Sequence, residues 1–248
     1  MTAELAGSTA LVTGGTSGIG RATAVALARL GAHVVLSGRD AGRGAEVVEA
    51  IRAAGGKADF VAAELTDAAS ARALADRARE VGGPIDVLVN NAGVFPTGPT
   101  AEFPEADFDT VFATNVKVPF FLVAAVGPEM AARGHGAIVN VSTMVALRGM
   151  AGMAVYGASK AAIELMTKAW AAEFGPSGVR VNAVSPGPTR TEGTAAFGDG
   201  LDRLAAAGPA GRVASPEEIA AAIAFLAAGD ASFVHGAILP VDGGRLAV

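Results

Sequence analysis

The stretch Thr9-Ala10-Leu11-Val12-Thr13-Gly14-Gly15-Thr16-Ser17-Gly18-Ile19-Gly20 decides the fold. Its first five residues are apolar or β-branched and read as a short buried strand, and from Gly18 an alanine-rich run of helical period takes over. Between them lies the spacing Gly14-x-x-x-Gly18-x-Gly20. Glycines so placed allow a tight turn, let the backbone approach a pyrophosphate and let a helix pack closely on a strand, while the helix N-terminus offers N–H donors to the anion. Glycine at a strand–helix turn can also serve conformation alone. The spacing, at the first such junction of the chain, predicts a dinucleotide site.

Outward from this unit the same alternation repeats. Continuous apolar runs at 9–13, 33–37, 58–62, 85–90, 137–142, 179–185 and 238–241 read as strands buried on both faces. Helical periodicity predicts helices at about 18–30, 41–54, 67–81, 105–132, 155–174 and 216–228. Strand–helix alternation over the whole length predicts an α/β fold, a Rossmann-type doubly wound parallel seven-stranded sheet with helices on both faces. No linker, repeat or low-complexity tail divides the chain, so 1–248 is expected to form one domain.

Composition narrows the function. Apolar residues make up 51% and charged residues 17%, which supports a large core and further burial between subunits. A net charge of −5 argues against nucleic acid or an anionic membrane as partner. With no cysteine, disulfides, thiolate catalysis and cysteine-ligated metals are excluded, and no metal site is expected. Met1-Thr2-Ala3-Glu4-Leu5 lacks the basic and apolar regions of a leader, and Pro119, Gly127 and Pro128 interrupt the most apolar stretch. A cytoplasmic protein is the expectation.

Chemistry gathers at predicted strand ends. The second strand ends Ser37-Gly38-Arg39-Asp40 where an acidic residue would bind an adenosine ribose diol. A hydroxyl and a guanidinium suit a 2′-phosphate that a carboxylate would repel, so NADP(H) is expected over NAD(H); in the competing reading Asp40 serves NAD. Asn90-Asn91-Ala92-Gly93 follows the fourth strand, Asn115 lies within a long helix, and Ser142 closes the fifth strand. Tyr156, the only tyrosine, stands four residues before Lys160, on one helix face. A phenol beside a fixed cation is expected to lose its proton more easily than at its ordinary value near 10. His33, His135 and His235 are scattered, and none joins a nucleophile.

These motifs resemble the short-chain dehydrogenases/reductases, single-domain branch. They are the 13–20 turn, Asn90 to Gly93, Asn115, Ser142, Tyr156-x-x-x-Lys160, Pro186-Gly187-Pro188-Thr189-Arg190-Thr191 and the closing Val241-Asp242-Gly243-Gly244. The resemblance implies Tyr156 as general acid/base, Lys160 lowering its pKa and holding the nicotinamide ribose, Ser142 bonding the substrate oxygen, and Asn115 holding a water toward Lys160. It implies cofactor contacts from Gly14, Thr16, Ser17, Gly18, Ile19, Gly20, Ser37, Arg39, Asn91, Ala92, Gly93, Pro186, Gly187, Thr189 and Thr191. Glu64 stands where the family usually places an aspartate against adenine, leaving the backbone of Leu65 to serve. Arg190 is a less common residue in its loop, either solvated or reaching a phosphate.

The implied activity is hydride transfer between nicotinamide and a carbonyl carbon. Val94, Phe95, Met144, Leu147, Met150 and Met153 are expected to border the substrate, under a mobile lid around 189–212. Methionines and apolar neighbours suggest a small-to-medium apolar ketone. Arg148 is the one charge among them, suited to a substrate carboxylate or to solvent. A 3-oxoacyl-carrier-protein reductase is the alternative, weakened because Arg133 alone offers positive charge near the expected entrance. A non-catalytic dinucleotide-binding sensor is the second. The apolar surface of the 156–174 helix, with Ala161, Ile163, Met166, Ala169 and Trp170, predicts a homotetramer of D2 symmetry.

Overall fold

The β-branched runs pair as read. The computed structural model describes residues 4–248, so Met1 to Ala3 of the amino-terminal reading lie outside the described residues. Strands β1 (Thr9–Val12), β2 (His33–Gly38), β3 (Lys57–Ala62), β4 (Ile85–Asn90), β5 (Gly136–Val141), β6 (Val179–Pro186) and β7 (Ile238–Val241) form one sheet in the order β3-β2-β1-β4-β5-β6-β7. Every pairing is parallel. The crossovers run in opposite directions from β1 and β4, which makes the gap between their C-terminal ends the switch point of the sheet.

Alternation within each strand divides the core between two faces. From β1, Ala10 and Val12 pack with Leu27 of α1 (Gly18–Arg29), Val47 and Ile51 of α2 (Ala41–Ala53), and Ile219 and Ile223 of α8 (Pro216–Ala227). Leu11, one residue out of phase, packs on the other face. It joins Leu74 of α3 (Ala68–Gly82), Leu122 and Val126 of α5 (Val118–Arg133) and Trp170 of α6 (Ala154–Phe174). Fully burying a side chain such as Leu11 contributes roughly 1.5–3 kcal/mol.

A polar line crosses this core. Asn90 and Asn140 are register partners on β4 and β5, and the Asn90 amide donates to Asn140 Oδ1 at 2.9 Å. Asn140 Nδ2 donates to Thr167 Oγ1 at 2.8 Å, and Thr167 donates to the Ile163 carbonyl. Buried amides need partners, so this chain of bonds fixes α6 in one setting against β5.

The helix expected at 105–132 is not continuous. It divides into α4 (Glu105–Phe112), a π-turn (Ala113–Lys117) and α5, and Asn115 sits inside the π-turn. Its amide meets both backbone groups of Val94, Val94 N–H donating to Oδ1 and Nδ2 donating to the carbonyl, each at 2.9 Å. Holding that side chain against another loop is the physical reason for the widened turn. The span Glu105–Arg133 reaches membrane-crossing length and hydropathy, yet Leu122, Val123, Val126 and Met130 bury it against the sheet.

The 189–212 stretch carries more regular structure than its Gly- and Ala-rich sequence suggested. A 3₁₀ turn covers Glu192–Phe197, and α7 (Asp199–Ala206) buries Leu201 and Ala205. At the opposite end of the molecule, Arg133 donates to the Ile85 carbonyl and pairs with Asp86, at the start of β4. It therefore stands at the N-terminal edge of the sheet and not near the expected entrance. Arg133 thus offers no positive charge to an acyl carrier at that entrance.

Candidate active site at the switch point

The glycine turn and the β4 loop are tied together. Thr13 Oγ1 accepts the N–H groups of Asn91 and Ala92, each at 3.0 Å. The Asn91 amide donates back to the carbonyls of Thr13 at 2.8 Å and Gly14 at 3.1 Å. A Cβ on Gly20 would collide with the Gly14 carbonyl and the Asn91 amide, so the third glycine permits the closure.

Helix α1 starts without a cap of its own: Ser17 makes no side-chain cap and the first turn holds no acid. The Gly18 N–H, at a φ of 47°, instead donates to Glu192 Oε2 at 2.9 Å, across 174 residues of chain. A carboxylate thus stands where the helix N-terminus attracts anions. Thr16 packs on Gly38 at the end of β2, so turn and second strand form one surface. These residues fit a dinucleotide, with its pyrophosphate over Gly14 to Gly20.

Around the adenosine end the expected contacts divide. Ser37 is wholly buried because strand alternation turns it inward, and its hydroxyl has no partner among the described residues. Its proposed role toward a 2′-phosphate is corrected. Arg39 is exposed and joins no ion pair among the described residues. Asp40 is committed elsewhere: it caps α2 by accepting from Arg43 N and pairs with Arg43 Nε at 2.8 Å. The Arg43 backbone and side-chain bonds hold its carboxyl below the usual range. Glu64 is exposed and Leu65 half-buried beyond β3.

At the nicotinamide end, Gly187 N–H donates to the Val241 carbonyl, and Thr189 is buried with its hydroxyl on the Gly187 carbonyl. Thr191 forms a reciprocal capping box with Thr194 at the start of the 3₁₀ turn. Arg190 pairs with Asp202 at 2.6 Å, so it serves the loop and α7.

Asn115, Ser159 and Lys160 converge beyond β5. Asn115 Nδ2 also donates to Ser159 Oγ at 3.1 Å, and Ser159 donates to the Tyr156 carbonyl. Lys160 is 5% exposed and its ammonium donates to the Val141 carbonyl at 2.8 Å. The space of a Cβ on Gly93 lies 3.2 Å from Asn115 Oδ1 and 3.4 Å from Lys160 Nζ, so all three border one recess.

The hydroxyl beside the phenol is not Ser142. Ser142 Oγ donates to Glu164 Oε1 at 2.7 Å inside the core, and Glu164 is itself 5% exposed. Thr143, one residue later, is the side chain that acts on the Tyr156 phenol, favouring loss of its proton. Sequence reading passed over Thr143. The signal was strand phase, since Asn140 and Ser142 share the side that faces α6 and Thr143 falls on the other.

The expected lowering of the phenol by Lys160 is also corrected. Burial pushes Tyr156 up to about 12, and Thr143 offsets only part of that. The side chain as a whole is half-buried, but the phenol titrates as a group surrounded by protein. Burial pushes Lys160 down to about 8 and raises Glu164, against the Ser142 bond.

The pocket residues separate in the same way. Phe95 tilts against Tyr156 with ring centroids 5.9 Å apart and stacks on Phe197 of the 3₁₀ turn at 6.3 Å, a partner the sequence did not suggest. Val94 is held by Asn115. Met144 and Met150 line a cavity with Arg148, whereas Leu147 is 58% exposed and Met153 does not reach that cavity.

Lys160 yields a pH signature. Below about pH 8 folded and unfolded chains both carry its proton, and the buried ammonium is a constant penalty. From about 8 to the ordinary 10.5 the folded chain sheds the proton while the unfolded chain keeps it, so stability rises with pH. Urea unfolding at pH 7, 8, 9 and 10 should show wild type gaining on Lys160→Met by up to about 1 kcal/mol per pH unit above 8. A pH-independent difference would contradict the shift.

Comparison with known proteins identifies relatives of the whole chain. Residues 14–245 match the sequence profile described as enoyl-(acyl carrier protein) reductase. The chain is 45% identical over 246 residues to a cis-4-hydroxycyclohexanecarboxylate dehydrogenase of Sinomonas cyclohexanicum, covering 96% of each. A solved short-chain dehydrogenase/reductase family protein superimposes with a TM-score of 0.92 at 52% identity, covering 99% of this chain and 100% of that one. A structure from Beutenbergia cavernae, assigned as an NAD(P)-dependent gluconate 5-dehydrogenase with NADP at low occupancy, gives a TM-score of 0.94 at 41% identity and full coverage of both chains. The chain belongs to the short-chain dehydrogenase/reductase family.

Proposed function

We propose that the protein is an NADP(H)-dependent oxidoreductase interconverting a ketone and a secondary alcohol. The observation that carries this reading is the Thr143 side chain acting on the Tyr156 phenol, with the Lys160 ammonium and Asn115 together at Gly93. Relatives named as dehydrogenases of a hydroxycyclohexane acid and of gluconate support the class of reaction.

Bound along the glycine turn, the dinucleotide supplies the hydride. Thr143 and Tyr156 offer two hydroxyls to one carbonyl oxygen, which fixes the substrate and stabilises negative charge developing there. A phenol pushed up to about 12 keeps its proton at neutral pH until a more basic oxygen forms beside it. Tyr156 Oη–H then breaks and its proton passes to the alkoxide; Thr143, the group that lowers the phenol, stabilises the phenolate left behind, and Lys160 holds the nicotinamide ribose. Ser142 and Glu164 act from within the core by holding the end of β5, and the 189–212 segment closes over the substrate through Phe197.

Arg39 favours NADP(H): its guanidinium is free for a 2′-phosphate, whereas Asp40, which would serve a ribose diol, is bound to Arg43. The tetramer reading also has support. Phe108 of α4, Phe120 of α5 and Leu165 of α6 are 44%, 45% and 69% exposed, with Ala161 and Ala169 beside them in sequence on α6. Ile163 and Trp170, expected on that surface, are buried in the monomer. A face of this kind suits a helical interface between copies.

Three measurements test the reading. Tyr156→Phe should lower kcat by at least about 1000-fold with cofactor affinity retained, and Thr143→Val should cost about 100-fold, more than Ser142→Ala. A larger loss at Ser142 would reverse the assignment of the hydroxyl. Arg39→Ala should weaken NADPH binding at least about tenfold more than NADH binding; equal losses would remove Arg39 from 2′-phosphate recognition. Sedimentation should give a tetramer, and an active monomer would refute that assembly.

A further inference from the structure

The segment that follows Thr143 lines a cavity of about 320 Å³, at the lower end of the range for small-ligand pockets. Met144, Val145 and Met150 come from the segment between the two hydroxyl-bearing residues, Leu204 from α7, and Arg148 and Arg245 supply the only charges of the lining. Val145 also touches the first turn of α6, where a Cβ on Gly157 would lie 2.9 Å from its carbonyl, so the cavity adjoins the helix that carries Tyr156.

Both arginines are placed by the fold. Arg148 Nη1 donates to the carbonyls of Arg245 at 3.2 Å and Val248 at 2.9 Å. That contact fastens the segment after Thr143 to the C-terminal turn and leaves the remaining donors of the fork uncommitted. Arg245 lies along Gly208 after α7, and its Nε is buried with no partner among the described residues. A buried cationic N–H without an acceptor is an unusual cost in a folded protein. No side-chain ion pair among the described residues includes Arg148 or Arg245. The carboxylate of the same turn, Asp242, is held by the N–H groups of Gly244 and Leu246. Two cations on an otherwise apolar cavity match a ligand with a compact hydrocarbon body and an anionic end.

We infer that the substrate is an oxo or hydroxy acid, with its carboxylate read by Arg148 and Arg245 and its carbonyl or hydroxyl carbon presented to Thr143 and Tyr156. This rests on the ketone–alcohol reading above and replaces the neutral apolar ketone expected from the methionines. Guanidinium forks match a carboxylate through paired N–H donors, and removal of water from the cavity strengthens that match. In reduction the C=O becomes CH–OH: the carbon takes the hydride of NADPH, the oxygen takes the proton of Tyr156, and NADP⁺ is released.

The test compares 4-oxocyclohexanecarboxylate with its methyl ester and with a 3-oxobutyryl thioester, using NADPH, in wild type, Arg148→Met, Arg245→Met and the double variant. A parallel thermal-shift titration uses cyclohexanecarboxylate and cyclohexanecarboxamide. Wild type should prefer the acid over the ester by about 100-fold in kcat/KM, and the double variant should lose most of that ratio. Cyclohexanecarboxylate should raise the wild-type Tm, and the amide should not. An acid-to-ester ratio near one, or a thioester reduced better than the acid, overturns the carboxylate site and leaves the ketone reading standing. Carboxylate-specific stabilisation lost in the double variant, without turnover of any carbonyl, supports the site and sinks the ketone reading. A loss of NADPH affinity in the variants as large as the loss of acid preference would assign the arginines to the cofactor and overturn the inference.

Discussion

The exchange of hydrogen bonds between Thr13 and Asn91 is the contact on which the site depends. A parallel sheet places all its strand ends on one edge but leaves the two loops at the switch point free to part. Thr13 accepts from the Asn91 and Ala92 backbone, and the Asn91 side chain returns two bonds to the glycine turn. Cofactor cradle and β4 loop are thereby one body. Val94, at the end of the same loop, is gripped by Asn115, which continues to Ser159 and so to the backbone of Tyr156. Polar contacts and the short loop between them lead from the glycine turn to the main chain of Tyr156.

A second tie, perpendicular to the first, sets the depth of α6. Asn140 reaches Thr167, and Ser142 reaches Glu164, nearly one helical turn earlier. Two inward-facing residues of β5 and its continuation thus hold two points of one helix. Lys160, a further turn toward the N-terminus, meets the Val141 carbonyl. The buried lysine and the buried glutamate both sit in settings that disfavour their charge, which structures tolerate where position matters more than stability.

The doubly wound parallel seven-stranded sheet was legible because it follows from periodicity and glycine chemistry, which are local. What was illegible depends on phase and on distant partners. Ser142 and Thr143 look alike as a pair of hydroxyls, and only the alternation inherited from Asn140 separates them. The same alternation buries Ser37, whose place at a strand end had suggested a 2′-phosphate contact. Arg133 seemed close to the entrance because its helix is long, yet a helix that antiparallels the strands delivers its last residue to the far edge. Arg245 carries no motif, and its place beside Arg148 arises from the C-terminal turn folding back across α7.

The Glu192 carboxylate on Gly18 gives anion binding at the turn the character of an exchange. One N–H cannot satisfy two acceptors in full, so an anion arriving at the helix N-terminus would compete with the protein's own carboxylate, which stands on the segment leading to Phe197. Occupancy of the helix N-terminus and the hold on the 192–197 turn would then be linked. Any change that weakens the internal anion strengthens the external one without touching it.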